Sequence, residues 1–437
     1  MMAARALALL LLTSAAGCQQ IATFFGGDVG STPSGDTGVD AARDARGDAP
    51  ADARIDGDVD SGLDGAPTDA RSDVVGPDGL QPTLDAVSDA PPVLTCPGGA
   101  FTVSSFSAPV EVDAMDMAID PSGAPHVFYL TSTGTIEHRV GQITITGGGF
   151  KRVNESLALP SHTKLRAAIN DKGRIFLAVA TDKAASLRSR ISGSWSSTTI
   201  LDASMSRTVH ALDVTALGTA AYGVVAYSSG AAATPSDHKR FQDVGSFYAR
   251  EHLAPGSERW LSALVEARNG VVAFGRQMLL SNGLGGTFEL NSDSSYVNAT
   301  AYLSSSDTSG VPYAIGMATS VVHVLRVLPG VLQHAQAPVG SAGGSLTYSA
   351  VGGFSGLQDA TTIAATVDAR DRLHFAYRDT NSQQLALRTL TAAWSNAISV
   401  MGAGSAGRVV LAAADGLLHV AYAESTAVRY TCLVLPP

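Results

Sequence analysis

Cysteine is nearly missing from this chain of 437 residues, which holds only Cys18, Cys96 and Cys432. That excludes a disulfide-dense scaffold and a cysteine-rich zinc module, since both need clustered thiols. Lysine and glutamate are absent from residues 19–94, where 15 Asp stand against 4 Arg. Residues 95–437 carry 24 acidic and 24 basic side chains. The formal charge of −10 therefore belongs to the stretch before them, and a neutral body has no electrostatic footprint for DNA or RNA. The apolar run of the leader, Ala6–Leu12, is far too short to span a bilayer. No GxSxG, HExxH or phosphate-cradling glycine loop occurs in its required context. No cofactor or metal is expected.

The first residues, "MMAARALALLLLTSAAGC", join one positive charge at Arg5 to that apolar run and to small residues before Cys18. The ending "SAAGC" resembles a bacterial lipobox, with Ala15 where leucine is commonest. The resemblance implies removal of residues 1–17 as a signal peptide and lipid attachment at Cys18. Several acyl chains anchor stably where one does not. Gln19 follows in place of aspartate, which in Gram-negative systems implies sorting to the outer membrane, facing the periplasm or the cell surface.

Residues 18–94 read as a tether. Between about Gly26 and Pro92, Asp, Ala, Gly and Pro dominate and no apolar period survives, so burial cannot offset ordering entropy. A disordered acidic linker is expected, spanning about 50 Å as a coil. "DGDVDSG" (Asp56, Asp58, Asp60) is not a calcium loop, because Ser61 and Pro67 stand where glycine and glutamate are needed. "RGD" at residues 46–48 arises easily by chance in such a composition.

Residues 95–437 repeat. "MDMAIDPSGAPHVFYL" (115–130), "IAATVDARDRLHFAYR" (363–378) and "VLAAADGLLHVAY" (410–422) each give a short apolar strand, an Asp-led turn and a His-x-x-Tyr strand. A weaker copy at 165–197 has Phe176 in place of the histidine, and 211–229 keeps only "VVAY". Period-two alternation makes these strands, and Asp with Gly supplies turn chemistry. Units beginning near 115, 165, 211, 261, 299, 363 and 409 predict an all-β, seven-bladed β-propeller, with six or eight blades as the other counts. A pair of β-sandwiches is the rival architecture. The last unit has room for three strands, and "AFTVSSFSA" (100–108) has no unit of its own. A strand from the front of the domain is therefore expected to complete the final blade. With Cys18 lipidated, Cys96 and Cys432 would pair across that closure, worth about 5–6 kcal/mol in the chain-entropy model.

His126, His374 and His419 share one repeat position, with Tyr129, Tyr377 and Tyr422 three residues on. The histidines are expected to bond the Asp opening their own unit (Asp120, Asp368, Asp415), and the tyrosines to pack in the core. Trp195 and Trp394 correspond at the start of the outer strand. All eight are also the candidates for ligand contact. "SSSDTSG" (304–310) departs from the sialidase Asp-box, because Gly310 is one place late and Val311 and Pro312 follow. The longer connections expected around 229–247 and 327–360 are further candidates for function.

The units resemble those of exported and lectin-like bacterial propellers. The resemblance implies a monomeric, lipid-anchored module that binds a protein or a glycan without catalysis. A carbohydrate-active glycosidase or lyase of the same fold is the alternative. An enzyme should gather acidic and basic side chains with displaced carboxylates in the central channel.

Overall fold

A computed structural model describes residues 101–105 and 114–435, apart from interruptions of at most ten residues. Cys18, Cys96 and the tether lie outside the described residues. Every described element is a β-strand, and the strands form seven antiparallel four-stranded sheets. The inner strands are Met115–Ile119, Lys164–Ile169, Arg207–Leu217, Arg259–Arg268, Tyr313–Met317, Ile363–Val367 and Val409–Ala414. Each touches the inner strand of the next blade, and the seventh touches the first, so the circle closes.

Closure uses the expected strand. Phe101–Ser105 pairs antiparallel with Ala427–Val434 as the outer strand of blade seven, with Phe101 opposite Tyr430. Behind this seam Val103, Met115, Met117, Val127 and Tyr129 pack with Val410, Val428, Tyr430 and Cys432 in one core cluster. Each large side chain there contributes about 1.5–3 kcal/mol by leaving water. Cys432 is buried and disulfide-bonded, and its partner lies outside the described residues.

The Asp-led turns have one construction. In blades one, two and six, Oδ1 of Asp120, Asn170 and Asp368 accepts the amides two and four residues on, at 2.8–3.1 Å. The residue three places on adopts positive φ, namely Gly123, Gly173 and Asp371. Blade seven shortens the turn to Asp415–Gly416, both at positive φ.

Three boundaries differ from the sequence reading. The fifth blade begins at Tyr313, and Leu303–Asp307, near the expected start at 299, is instead the outer strand of blade four. The expected long connections contain strands Ser236–Asp243, Val331–Pro338 and Ser349–Val351, and the first ends where strand Phe247–Leu253 begins. "SDHKRFQD" hides its period because His238 and Arg240 are themselves fully buried.

Candidate functional site

The inner strands enclose a cavity of about 600 Å³, and residues of all seven blades line it. Its charge comes from a contiguous arc: Arg408 of blade seven, Asp116 of blade one, Arg166 of two, Asp213 of three and Glu266 of four. Blades five and six oppose it with Tyr313, Ala314, Ile315, Ile363, Ala365 and Thr366. One wall is therefore ionic and the other mostly apolar.

The alternation of the inner strands makes this wall. Asp116 lies between Met115 and Met117, Arg166 between Leu165 and Ala167, Asp213 between Leu212 and Val214, and Glu266 between Val265 and Ala267. Apolar neighbours turn into the blades, so the intervening side chain meets the channel. A solitary charge inside each apolar strand was the available sequence signal, and none of the five residues stands among the sequence candidates.

Two carboxylates also join blades. Asp116 Oδ2 accepts the amide of Ala167 at 2.7 Å, and Asp213 Oδ2 accepts that of Val265 at 2.9 Å. Arg166 Nε lies 3.8 Å from Asp213 Oδ1. Burial raises Asp116 above the ordinary carboxylate range, against the pull of Arg408 and Arg166. Burial lifts Asp213 to about 6, with Arg166 opposing and Asp116 adding. Glu266, half-buried and facing the channel, is pushed up to about 8 by burial and then by the charges of Asp213 and Asp116. The site therefore gathers carboxyls that hold their protons more tightly than usual, Glu266 more so than Asp213.

The eight sequence candidates lie elsewhere, and none lines this cavity. His126 Nε2 donates to Asp120 Oδ2 at 3.1 Å, and its Nδ1 is 2.8 Å from Nε2 of His138. His374 Nε2 meets Asp368 Oδ2 at 3.1 Å, and its Nδ1 meets the Thr389 hydroxyl at 2.9 Å. His419 is different. The shortened turn leaves it without its Asp, and its Nδ1 bonds the Tyr430 hydroxyl at 2.7 Å. Tyr129 receives Arg139 Nε and donates to Glu137, Tyr377 stacks on Phe375, and the buried Tyr422 hydroxyl has no partner among the described residues. Burial pushes Tyr422 up to about 12. Trp195 packs against the cluster holding Leu177 and Val179. Trp394 sits edge-on to His334 of blade five and Phe375 of blade six. The three histidines each bond within their own blade and do not converge.

No protein-family model and no curated protein matches the chain. Solved structures do. The Trypanosoma rangeli sialidase aligns at TM-score 0.47 and 10% identity over 78% of this chain, which spans only 60% of that protein. A catalytically inactive virginiamycin B lyase from Staphylococcus aureus aligns at 0.47 and 10% over 76% of this chain and 98% of its own. The Aleuria aurantia lectin aligns at 0.44 and 13% over 68% and 98%. At these scores and identities the likeness carries no argument about activity.

Proposed function

We propose that this chain is an exported propeller, lipid-anchored through Cys18 in the outer membrane, that binds a polyhydroxylated ligand in its channel without transforming it. One observation carries the reading: a cavity of about 600 Å³ with an ionic arc facing an apolar one. A sugar has the same two characters, hydroxyls at its edge and C–H groups on its face, and the volume suits a short saccharide. Asp116 and Asp213 favour binding over chemistry, because each already holds a backbone amide between blades. The leader and the acidic tether supply export and reach, and Cys96 is the partner proposed for Cys432.

A second reading, a carbohydrate-active enzyme, is favoured because the channel gathers Asp116, Asp213 and Glu266, all raised above the usual carboxylate range, with Arg166 and Arg408, the arrangement expected of an enzyme from the sequence. Incubating the full-length Cys18→Ser protein with a panel of oligosaccharides separates the two. Saturable binding by calorimetry with no new reducing ends supports the binding module. Reducing ends that vanish in Glu266→Gln support the enzyme, and neither binding nor product with any saccharide rejects both. Intact mass of the membrane form tests the anchor, which requires an acylated N-terminus at Cys18.

A further inference from the structure

A second cavity, of about 610 Å³, lies where blade four meets blade five. The backbone builds it: Ser304 of the outer strand of blade four bridges to Ser345, with Ser304 N on Gly344 O at 3.0 Å and Leu346 N on Ser304 O at 2.8 Å. Ser304, Ser305, Ser345 and Thr347 are among the residues that line it, and the buried Ser305 hydroxyl has no hydrogen-bond partner among the described residues. Among the described residues its one cation is Arg326, half-buried on the second strand of blade five, with its guanidinium 3.9 Å from the centroid of the Tyr348 ring.

Blade four supplies an internal comparison. The sixth residue of its second strand, Arg276, faces Glu289 across the pair and donates Nε to Oε2 at 2.6 Å. The sixth residue of the second strand of blade five is Arg326, which faces Gln333 and donates Nε to Oε1 at 2.7 Å. The geometry repeats but the counter-charge does not. Arg326 gives Nη1 to the Ser306 carbonyl at 2.8 Å, and among the described residues no carboxylate pairs with it. A guanidinium stacked on an aromatic ring and without a carboxylate on it among the described residues can take an oxyanion from outside.

From this substitution of glutamine for glutamate we infer an anion site: the pocket between blades four and five takes the carboxylate of an acidic sugar on Arg326, with the ring hydroxyls on the serine-rich wall. The site is separate from the channel and does not depend on what the channel binds. Arg326 offers Nη2 to the carboxylate while Gln333 and Ser306 hold the guanidinium in place.

The test uses full-length Cys18→Ser protein, with glucuronate as probe and glucose and acetate as controls, titrated by calorimetry at low salt. Glucuronate is expected to bind saturably, and glucose and acetate at least about tenfold more weakly. Gln333→Glu installs the carboxylate that blade four already has, so it should fold normally and weaken glucuronate about tenfold or more. Arg326→Ala should abolish binding. Affinity unchanged in Gln333→Glu, no saturable glucuronate binding to the parent protein, or acetate binding as tightly as glucuronate would each overturn the assignment.

Discussion

A carboxyl that keeps its proton to about pH 8, as Glu266 does, favours the native state below its unfolded pKa near 4.5. That contribution disappears as pH rises through 8. Glu266→Gln removes the slope, so its melting temperature should match the parent near pH 4 and exceed it at pH 8.5, measured by circular dichroism. The stacked pairs His126–His138 and His323–His334 act in the opposite sense. Burial is the largest cause holding His138 near 3 and both His323 and His334 near 4, with the neighbouring histidine adding at His138 and His334. Their stability is complete above 6.5 and is lost as pH falls toward 4. The ring-proton NMR signals of His138, His323 and His334 should therefore not titrate between pH 5 and 8 while the protein stays folded. Single residues were also the least legible part of the sequence. Asp116, Arg166, Asp213 and Glu266 form a site only because alternation turns four separate charges to one axis, and no local motif announces that. The histidines drew attention by recurring, yet His126 and His374 brace turns and His419 bonds Tyr430.

The turns were legible because their chemistry is local. A carboxylate that accepts two amides ahead of it is written within five residues, as in Asp120–Ala124 and Asp368–Arg372. Asp368 serves four donors. Burial would raise it, but hydrogen bonds from the Arg372 amide, His374, the Arg372 side chain and the Arg370 amide hold it near 2. Asp368→Ala should cost about 2–4 kcal/mol by urea titration, because it strands two amides and a buried histidine. Asp120→Asn should cost about 1 kcal/mol, since Asn170 already builds the same turn in blade two. The third strands were less legible, because their inward positions are polar or take their meaning from a neighbouring strand. Gly223 faces Phe241 across one such pair, and a Cβ there would sit 2.1 Å from the ring. Gly223→Ala should destabilise by about 1–3 kcal/mol through overpacking, again by urea titration.

Seven blades and their manner of closing followed from the spacing of the turns and the missing strand of the last unit. The fifth start was misplaced because the alternation of "YVNATAYL" (296–303) leads into Leu303–Asp307, the outer strand of blade four, and not into an inner strand. The seam is the mechanical weak point of a ring, and Val103 is buried within it. Val103→Asp should expel Phe101–Ser105 and uncover Ala427–Val434 as an unpaired edge. Analytical ultracentrifugation should then show concentration-dependent association that the parent protein lacks.

That same pairing sets an order of events during biosynthesis. Phe101–Ser105 is the first strand of the body to be made, and Ala427–Val434, its partner, is the last. At about 5–20 residues per second the early strand waits roughly half a minute for its mate. The body therefore stays an open, incomplete toroid until Ala427–Val434 is available, which is the interval in which chaperone custody matters most.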